Sequence, residues 1–281
     1  MDFENYFIRT GLAEEGRKSF RKLHQKINDQ EYINGYKAFQ EGDDTFAVYI
    51  TNYAQKQNIP VEIINLYFYI RFSEYTYEEY KRLGISDDIF YMTMSDFAIT
   101  ARQNTDNGGV YGITQYPERP WLRLHLSNKL YRLGRLQFEL IESDCDIEIE
   151  NKWLKKGDPC LNVHIARYEP LMEAECEKSY AFAKEFFKTY YNMNFCFFIC
   201  HSWLLHPWLQ DVLSENSSII RFQRKYKIIK TEIDTDDVIS YIFGVKHNDI
   251  NDYPENSSLQ RNLKKYLTQN IPVGTATGIR L

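Results

Sequence analysis

Two short stretches in the second half of the chain place polar side chains where they could transfer protons. In LQFEL, Gln137 and Glu139 alternate with apolar residues, and in CLNVHIAR, Asn162 and His164 do the same. A period of two puts each polar pair on one face of a β-strand. If the two strands pair antiparallel, the four side chains meet, and a His beside a Glu can serve as a general base with its orienting partner. The alternative is a solvent-exposed face, on which polar residues are expected.

A second set of candidates follows the apolar run FCFFIC, residues 195–200. His201 and Ser202 come directly after this run, and His206 stands before Pro207. The C-terminal end of a central parallel strand is where α/β folds place their sites, so both His201 and Ser202 are candidate catalytic residues. The alternative is that they cap the strand and bond to neighbouring backbone. A pair of Ser202 with His206 needs a turn before Pro207, and the G-x-S-x-G context of hydrolases is absent.

Residue spacing disfavours metal and nucleotide chemistry. Cys160 and His164 are four residues apart, as are Cys196 and Cys200. In a strand, that spacing separates side chains by about 13 Å, which is too far for one zinc ion. Neither G-x-x-x-x-G-K-[ST] nor G-x-G-x-x-G occurs. We therefore predict no metal site and no common nucleotide-binding loop.

Composition narrows the class of partner. The 281 residues are 43% hydrophobic and 26% charged, with a net charge of −5 and no long basic run. Nucleic acid is therefore not an expected partner. No window of ~18 uncharged apolar residues is present, so no membrane span is predicted. The five cysteines are an odd number, and MDFENYF lacks the features of a secretory leader. We expect a cytoplasmic protein with free thiols.

The elements that must position these residues fall into two halves. Residues 1–127 are predicted to be helical, with a helix opening at Asp43, one from Pro60 to Gly84, and one from Ser86 to about Asn104. A Gly-containing loop over 104–119 leads to a helix that ends near Ser127.

From Tyr131 the pattern changes to strands and helices in alternation. YRLGRLQFELIES and CLNVHIAR are predicted strands, and the uninterrupted FCFFIC is typical of a central strand covered on both faces. A helix over Pro170–Thr189 joins the last two, which implies a right-handed parallel crossover. The remaining predicted elements are helices over Pro207–Leu213, Asp236–Phe243 and Ser257–Gln269, and strands over Lys225–Ile233 and Pro272–Leu281.

An ordered set of segments resembles a known family. The segments are YRLGRLQFEL, CLNVHIARYEPLMEAECEKSYAFAKEFF, CHSWLLHPWL, SSIIRFQRKY and SSLQRNLKKYL. They resemble the acyltransferase-like family that joins a helical N-acyltransferase N-terminal domain to a GNAT-like C-terminal domain. The resemblance extends to GLAEEGRK and GISDDIF, and so covers essentially the whole chain. It implies an α+β protein with a helical domain over 1–127 and a GNAT-like mixed α/β domain over 128–281.

The resemblance also implies an activity. A GNAT fold splays two parallel strands, here Leu161–Ala166 and Phe195–His201, and an acyl-CoA threads the gap. Acetyl-CoA or another acyl-CoA would be the co-substrate, and a small-molecule amine the acceptor. The helix between the strands would receive the pyrophosphate at its N-terminus. The residues expected to contact the coenzyme are Ile165, Ala166, Arg167 and Leu171. Within the four-residue cluster, Gln137 and Asn162 would contact substrate while His164, with Glu139 beside it, would be the general base.

One loop departs from the family pattern. GNAT proteins carry a Gly-rich pyrophosphate loop, and members of this family have Gly-Gly before Pro-Leu, where this chain has Tyr168 and Glu169. Side chains there obstruct a close backbone approach, and Pro170 has no N–H to donate. Glu169 repels phosphate, although Arg167 offsets that charge. The alternative function is therefore a non-catalytic GNAT-like protein that binds a ligand or partner.

Overall fold

The computed structural model describes residues 1–114 and 118–281, which form two compact units over 1–133 and 134–281. The first unit contains helices and one short strand. Their bounds are α1 Phe3–Arg9, α2 Glu14–His24, α3 Asp29–Glu41, α4 Asp43–Gln57, α5 Val61–Leu83, α6 Asp87–Met94, α7 Asp96–Asp106, α8 Glu118–Leu126 and β1 Leu130–Leu133. Within the described ranges, no helix combines the length and the apolar character needed to cross a bilayer.

Helix α5 is the centre of the first unit. It begins after Pro60 and ends at Gly84, whose φ of +73° closes the helix in the left-handed region. Its side chains from Ile64 to Ile70 are all buried, so this half of the helix is enclosed, whereas the half after Ile70 has one buried and one exposed face. Aromatic rings supply most of this core. Phe68, for example, packs against Phe72 with ring centroids 5.6 Å apart.

The structure differs from the sequence prediction at one helix and at the boundary of the first unit. The helix expected from Ser86 to about Asn104 is two helices, α6 and α7, which meet at Ser95. The Ser95 hydroxyl donates to the carbonyl of Met92 at 2.6 Å, a local bond that competes with helix continuation. The unit also extends past the expected boundary at 127, because the N–H of Arg132 in β1 donates to the Thr93 hydroxyl of α6 at 3.0 Å.

The second unit is a mixed sheet with helices. Its elements are β2 Leu136–Glu142, β3 Ile147–Ile149, β4 Lys152–Leu154, β5 Pro159–Ile165, α9 Glu173–Tyr191, β6 Phe198–Ser202, α10 Trp208–Val212, α11 Ser218–Gln223, β7 Lys227–Ile233, α12 Thr235–Phe243, α13 Ser258–Thr268 and β8 Gly274–Arg280. Within this unit the main strands lie in the order β2-β5-β6-β8-β7, and β3 and β4 form a separate hairpin.

Strands β5 and β6 are parallel, and the other neighbours in this order are antiparallel. Helix α9 connects β5 to β6, as the strand–helix–strand pattern predicted. Tyr180 of α9 packs on Phe138 of β2 and Phe198 of β6, with centroids 5.8 and 4.8 Å away. Helix α9 therefore covers the apolar face of the sheet.

The strand predicted over YRLGRLQFELIES is wrong as one element. It is two strands, β1 and β2, separated at Gly134, where φ is +81°. A left-handed residue ends the alternation, so the face assigned to Arg132 does not continue into β2. The β3–β4 hairpin was not predicted, because its three-residue strands are too short to display a period.

The elements around the crossover are shifted along the chain. Helix α9 starts at Glu173 rather than Pro170, and β6 starts at Phe198 rather than Phe195. His201 and Ser202 are the last two residues of β6, at the C-terminal end of the strand as expected. In β6 only Phe198 and Cys200 are buried, and His201 is exposed, so one face is covered rather than both.

Candidate active site

The four polar residues of the two strands meet on one sheet face, as predicted. Strands β2 and β5 pair antiparallel, with Gln137 opposite His164 and Glu139 opposite Asn162. His164 Nε2 lies 2.9 Å from Glu139 Oε2, and Asn162 Nδ2 donates to the same Glu139 oxygen at 3.1 Å. The three side chains therefore form one connected hydrogen-bonded group.

Burial distinguishes this cluster from an ordinary solvent-exposed face. Gln137 is 1% exposed, and the side chains of His164 and Glu139 are 24% and 17% exposed. Asn162 Nδ2 also lies 3.0 Å from His164 Nε2. That nitrogen can donate to Glu139 when it carries a proton and accept from Asn162 when it does not. Both tautomers of the neutral imidazole therefore have a hydrogen-bonding partner at Nε2.

The two parallel strands separate directly beside this cluster. Strands β5 and β6 are in register only at Leu161–Phe198 and Asn162–Ile199. Past these pairs β5 stays paired to β2 as far as Ile165, and β6 stays paired to β8 as far as Ser202. A gap therefore opens between residues 163–165 and 200–202. These strands have slightly different bounds from the expected Leu161–Ala166 and Phe195–His201.

His201 lies across this gap on the same face as His164. Residues in register on parallel strands share a face, so the pair Asn162–Ile199 places His164 and His201, two residues further on, together on one side. The imidazole of His201 is exposed, and its Nδ1 lies 2.9 Å from the hydroxyl of Thr277 on β8. The gap thus has a histidine on each of its two strands.

Ser202 lies on the opposite face of β6 from His201. Its hydroxyl accepts from the N–H of Leu204 at 3.2 Å and caps a short 3₁₀ helix over Trp203–Leu205. His206 Nδ1 accepts from the N–H of Trp208 at 3.3 Å. Both side chains that could have formed a Ser–His pair bond to local backbone instead. The structure places Ser202 outside the cluster that holds His164.

The residues expected to contact the coenzyme lie in the loop over 166–172 or directly before it. Ile165 ends β5, and Ala166 and Leu171 are buried at 6% and 7% exposure, where they anchor the loop. The guanidinium of Arg167 lies 4.6 Å from the ring centroid of Tyr241 in α12. Of the four residues, Arg167 alone brings a charged side chain to the loop.

The sequence analysis did not identify Arg135, whose side chain binds two backbone carbonyls of this loop. Its guanidinium donates to the carbonyl of Glu169 at 2.8 Å and to that of Pro170 at 2.9 Å. Its own N–H donates to the Ser179 hydroxyl of α9 at 2.8 Å. These bonds keep Glu169 and Pro170 outside the helix, which explains the late start of α9. In the sequence, only the preceding Gly134 indicates that Arg135 lies at a turn, and the alternating pattern on both sides made this turn look like continuous strand.

Helix α9 begins with a backbone end that no side chain caps. Its N-cap is Met172, whose side chain has no oxygen to accept from the first turn. Glu173 in that turn is bonded to Lys225 at 2.7 Å, and Arg221 lies 4.0 Å from its other oxygen. Two basic side chains therefore offset the acidic first turn. Such a helix end suits a phosphate group.

The comparisons with known proteins agree with this architecture. Residues 130–280 match the model of the GNAT-like C-terminal domain, and residues 1–128 match the model of the N-acyltransferase N-terminal domain. The chain belongs to the family with the GNAT-like C-terminal domain, since that match covers more than half of it. The family resemblance and the α+β class are thereby confirmed. No protein with a curated description matches the chain.

Solved structures of acyltransferases share the fold. An acyltransferase in complex with decanoyl-CoA and teicoplanin is 22% identical, with a TM-score of 0.68 over 77% of this chain. An acyltransferase mutant in complex with octanoyl-CoA gives the same values, and another complex with decanoyl-CoA is 20% identical with a TM-score of 0.66. The chain spans about 65% of the length of those chains.

Proposed function

We propose that this protein transfers an acyl group directly from an acyl-CoA to the amine of a small molecule. The observation that carries the proposal is the bonded group of His164, Glu139 and Asn162 beside the gap between β5 and β6. A base with an orienting carboxylate stands next to an opening between two parallel strands. The family membership and the acyl-CoA complexes of the similar acyltransferases support the same activity.

In this proposal His164 takes the proton of the attacking amine. When Nε2–H donates to Glu139, the lone pair lies on Nδ1, which accepts the proton as the C–N bond forms. The carboxylate of Glu139 then stabilises the imidazolium. Asn162 donates to Glu139, and Gln137 lies opposite His164 in the strand register. The cluster thus supplies a base, His164, whose positive charge after proton transfer is balanced by the Glu139 carboxylate.

The donor would lie along the gap with its phosphates at the start of α9. Backbone N–H groups of β5 beside the gap would polarise the thioester carbonyl. The uncapped N-terminus of α9, with Arg221 and Lys225 near it, would receive the pyrophosphate. The similar acyltransferases are named with decanoyl and octanoyl donors, so acyl chains of eight to ten carbons belong in the test beside acetyl.

The test is the turnover of acetyl-, octanoyl- and decanoyl-CoA with a panel of small-molecule amines, measured by mass spectrometry of the product. We expect His164→Ala to lower kcat by about 10²–10⁴-fold, with a cooperative thermal transition that shows the variant is still folded. His247→Ala, the same change outside the cluster, should leave kcat unchanged. An H164A variant as active as the wild type would contradict the proposal.

The non-catalytic alternative is favoured by one observation, the loop that carries Tyr168 and Glu169 in place of glycines. A thermal scan with excess coenzyme A and acyl-CoA separates the two functions. A ligand at 100 times its dissociation constant adds about 2.7 kcal/mol of stability, which raises Tm by several degrees. Stabilisation without turnover of any donor would favour a binding protein, and stabilisation with turnover the acyltransferase.

A further inference from the structure

Strand β7 ends the sheet of the second unit and is paired along one side. Within the part of the chain that the structure describes, β8 is its neighbour and no strand pairs with its other edge. Six of the seven residues of β7 are exposed. A bulge interrupts the pairing with β8 at Ile229, and the pairing is regular from Lys230 to Ile233. The regular part of β7 therefore directs backbone N–H and C=O groups to an open edge.

The side chains of this edge combine exposed apolar groups with charges of both signs. Ile233 is 74% exposed, the highest value among the exposed large hydrophobic residues of the described chain, and Ile229 is 38% exposed. Lys230 and Glu232 are bonded to each other at 2.9 Å, and their side chains are 64% and 44% exposed. A lysine and a bulge discourage pairing with most strands. A strand with complementary charges is the exception.

A second copy of β7 supplies these charges in one register. The two-fold axis of a symmetric antiparallel pair must pass beside a residue, because adjacent residues direct their N–H and C=O groups to opposite sides. An axis at Lys230 or at Glu232 sets that residue opposite its own copy, with like charges facing. An axis at Ile233 sets Glu232 opposite Asp234. An axis at Thr231 sets Lys230 opposite Glu232 twice, so it alone among the four regular positions pairs unlike charges without a clash.

The same register also pairs the apolar residues. With the axis at Thr231, Ile229 of each copy lies opposite Ile233 of the other, and the threonine lies opposite itself. Cross-strand pairs of β-branched residues, of threonines and of opposite charges each stabilise a sheet. Every position from 229 to 233 therefore meets a complementary residue, including the large hydrophobic side chain that is most exposed in the single copy.

We propose that two copies of this chain associate through β7, antiparallel and with the two-fold axis at Thr231. The inference is independent of the proposed acyl transfer. The axis is perpendicular to the sheet, so the sheets of the two second units join with equivalent faces on the same side. Strand β6, which carries His201, is separated from β7 by β8. At about 4.8 Å per strand, the two copies of β6 lie about 24 Å apart, and both gaps open on one face.

Exchange of charges tests the register. We expect the wild type to sediment with twice the monomer mass at micromolar concentration. Lys230→Glu and Glu232→Lys should each raise the dissociation constant of the dimer about tenfold, because each variant faces its own copy with two like-charge pairs. An equimolar mixture of the two variants should recover the wild-type mass, since every glutamate then lies opposite a lysine. The double variant K230E/E232K should dimerise alone for the same reason.

The apolar pair has a matched control in helix α1. Ile233→Lys should raise the dissociation constant about tenfold, because the lysine would lie opposite Ile229. Ile8→Lys, at a side chain that is 68% exposed, should dimerise as the wild type does. All substituted side chains are exposed, so the melting temperatures should match and show that the variants are folded. A wild type that stays monomeric at submillimolar concentration would overturn the proposal. So would a dimer that K230E and E232K do not weaken, or two monomeric variants whose mixture stays monomeric.

Discussion

Tyr168 occupies a backbone position that favours glycine. Its φ is +67°, in the left-handed region, at the place where the family resemblance predicts Gly-Gly. The chain accepts a tyrosine there because Arg135 holds the next two carbonyls, those of Glu169 and Pro170, in fixed positions. At the residue scale, a guanidinium from the turn between β1 and β2, rather than a glycine, holds the shape of the loop.

The first prediction concerns this guanidinium. Arg135→Lys keeps the charge but loses the fork that reaches two carbonyls at once, so the loop over 166–172 should loosen. We expect the dissociation constant for coenzyme A to rise about tenfold, measured by calorimetry, with kcat at saturating donor nearly unchanged. Arg224→Lys, an exposed arginine paired with Glu215, is the control and should bind as the wild type does. Wild-type affinity in R135K would show that the loop does not need the fork.

The polar cluster could be predicted from sequence, and Arg135 could not. Strand alternation has a fixed period, which predicts that Gln137, Glu139, Asn162 and His164 share one face, as the register shows. Arg135 acts from a turn, and its bonds to the carbonyls of Glu169 and Pro170 join parts of the chain far apart in sequence. Such contacts depend on tertiary placement, which no local period encodes.

At the scale of elements, α7 and α8 are joined by a buried pair. Nε2 of His125 lies 2.8 Å from a carboxylate oxygen of Asp96, and the two side chains are 0% and 7% exposed. Nδ1 of the same ring lies 3.3 Å from the Trp121 carbonyl. Both ring nitrogens thus face oxygen atoms inside the helical unit, and the pair connects two helices through polar groups with little access to water.

Removal of one partner should therefore be costly. Asp96→Ala leaves the His125 imidazole buried without its carboxylate, and we expect the free energy of unfolding to fall by about 3–5 kcal/mol in urea titrations. Asp88→Ala removes the carboxylate of an exposed pair with Arg9 and should cost less than about 1 kcal/mol. Equal losses in the two variants would mean that burial does not decide the strength of the Asp96 contact.

Element types were predicted better than element ends. The helix from Pro60 to Gly84 is confirmed, since proline and glycine mark both of its ends. The predicted first residues of α9 and β6 were each three residues too early. Helix α9 starts later because Arg135 binds the carbonyl of Pro170, and β6 starts later because strand pairing begins at Phe198. Local residue preferences cannot contain either cause.

At the scale of the whole molecule, the reactivity of the five cysteine thiols depends on whether the protein is folded. Cys145 and Cys196 are exposed, and the other three are buried. Burial raises the pKa of Cys160 and of Cys200 to about 12 and that of Cys176 to about 11. Buried thiols that stay protonated react slowly with disulfide reagents.

A thiol titration of the native protein should therefore count two reactive cysteines, and one in denaturant should count five. Cys145 is expected to react more slowly at neutral pH than in Asp144→Asn, because the hydrogen bond and charge of Asp144 raise the pKa of its thiol. More than two rapid thiols before unfolding would mean that Cys160, Cys176 or Cys200 is accessible in the native state.

The separation of β5 from β6 also has a mechanical consequence. Within the second unit the sheet consists of two slabs, β2–β5 and β6–β8–β7, joined by the residue pairs Leu161–Phe198 and Asn162–Ile199. Tyr180 of α9 packs on a ring of each slab, Phe138 of β2 and Phe198 of β6. Because backbone pairing between the slabs stops after two residue pairs, side-chain packing under α9 carries part of the connection between them.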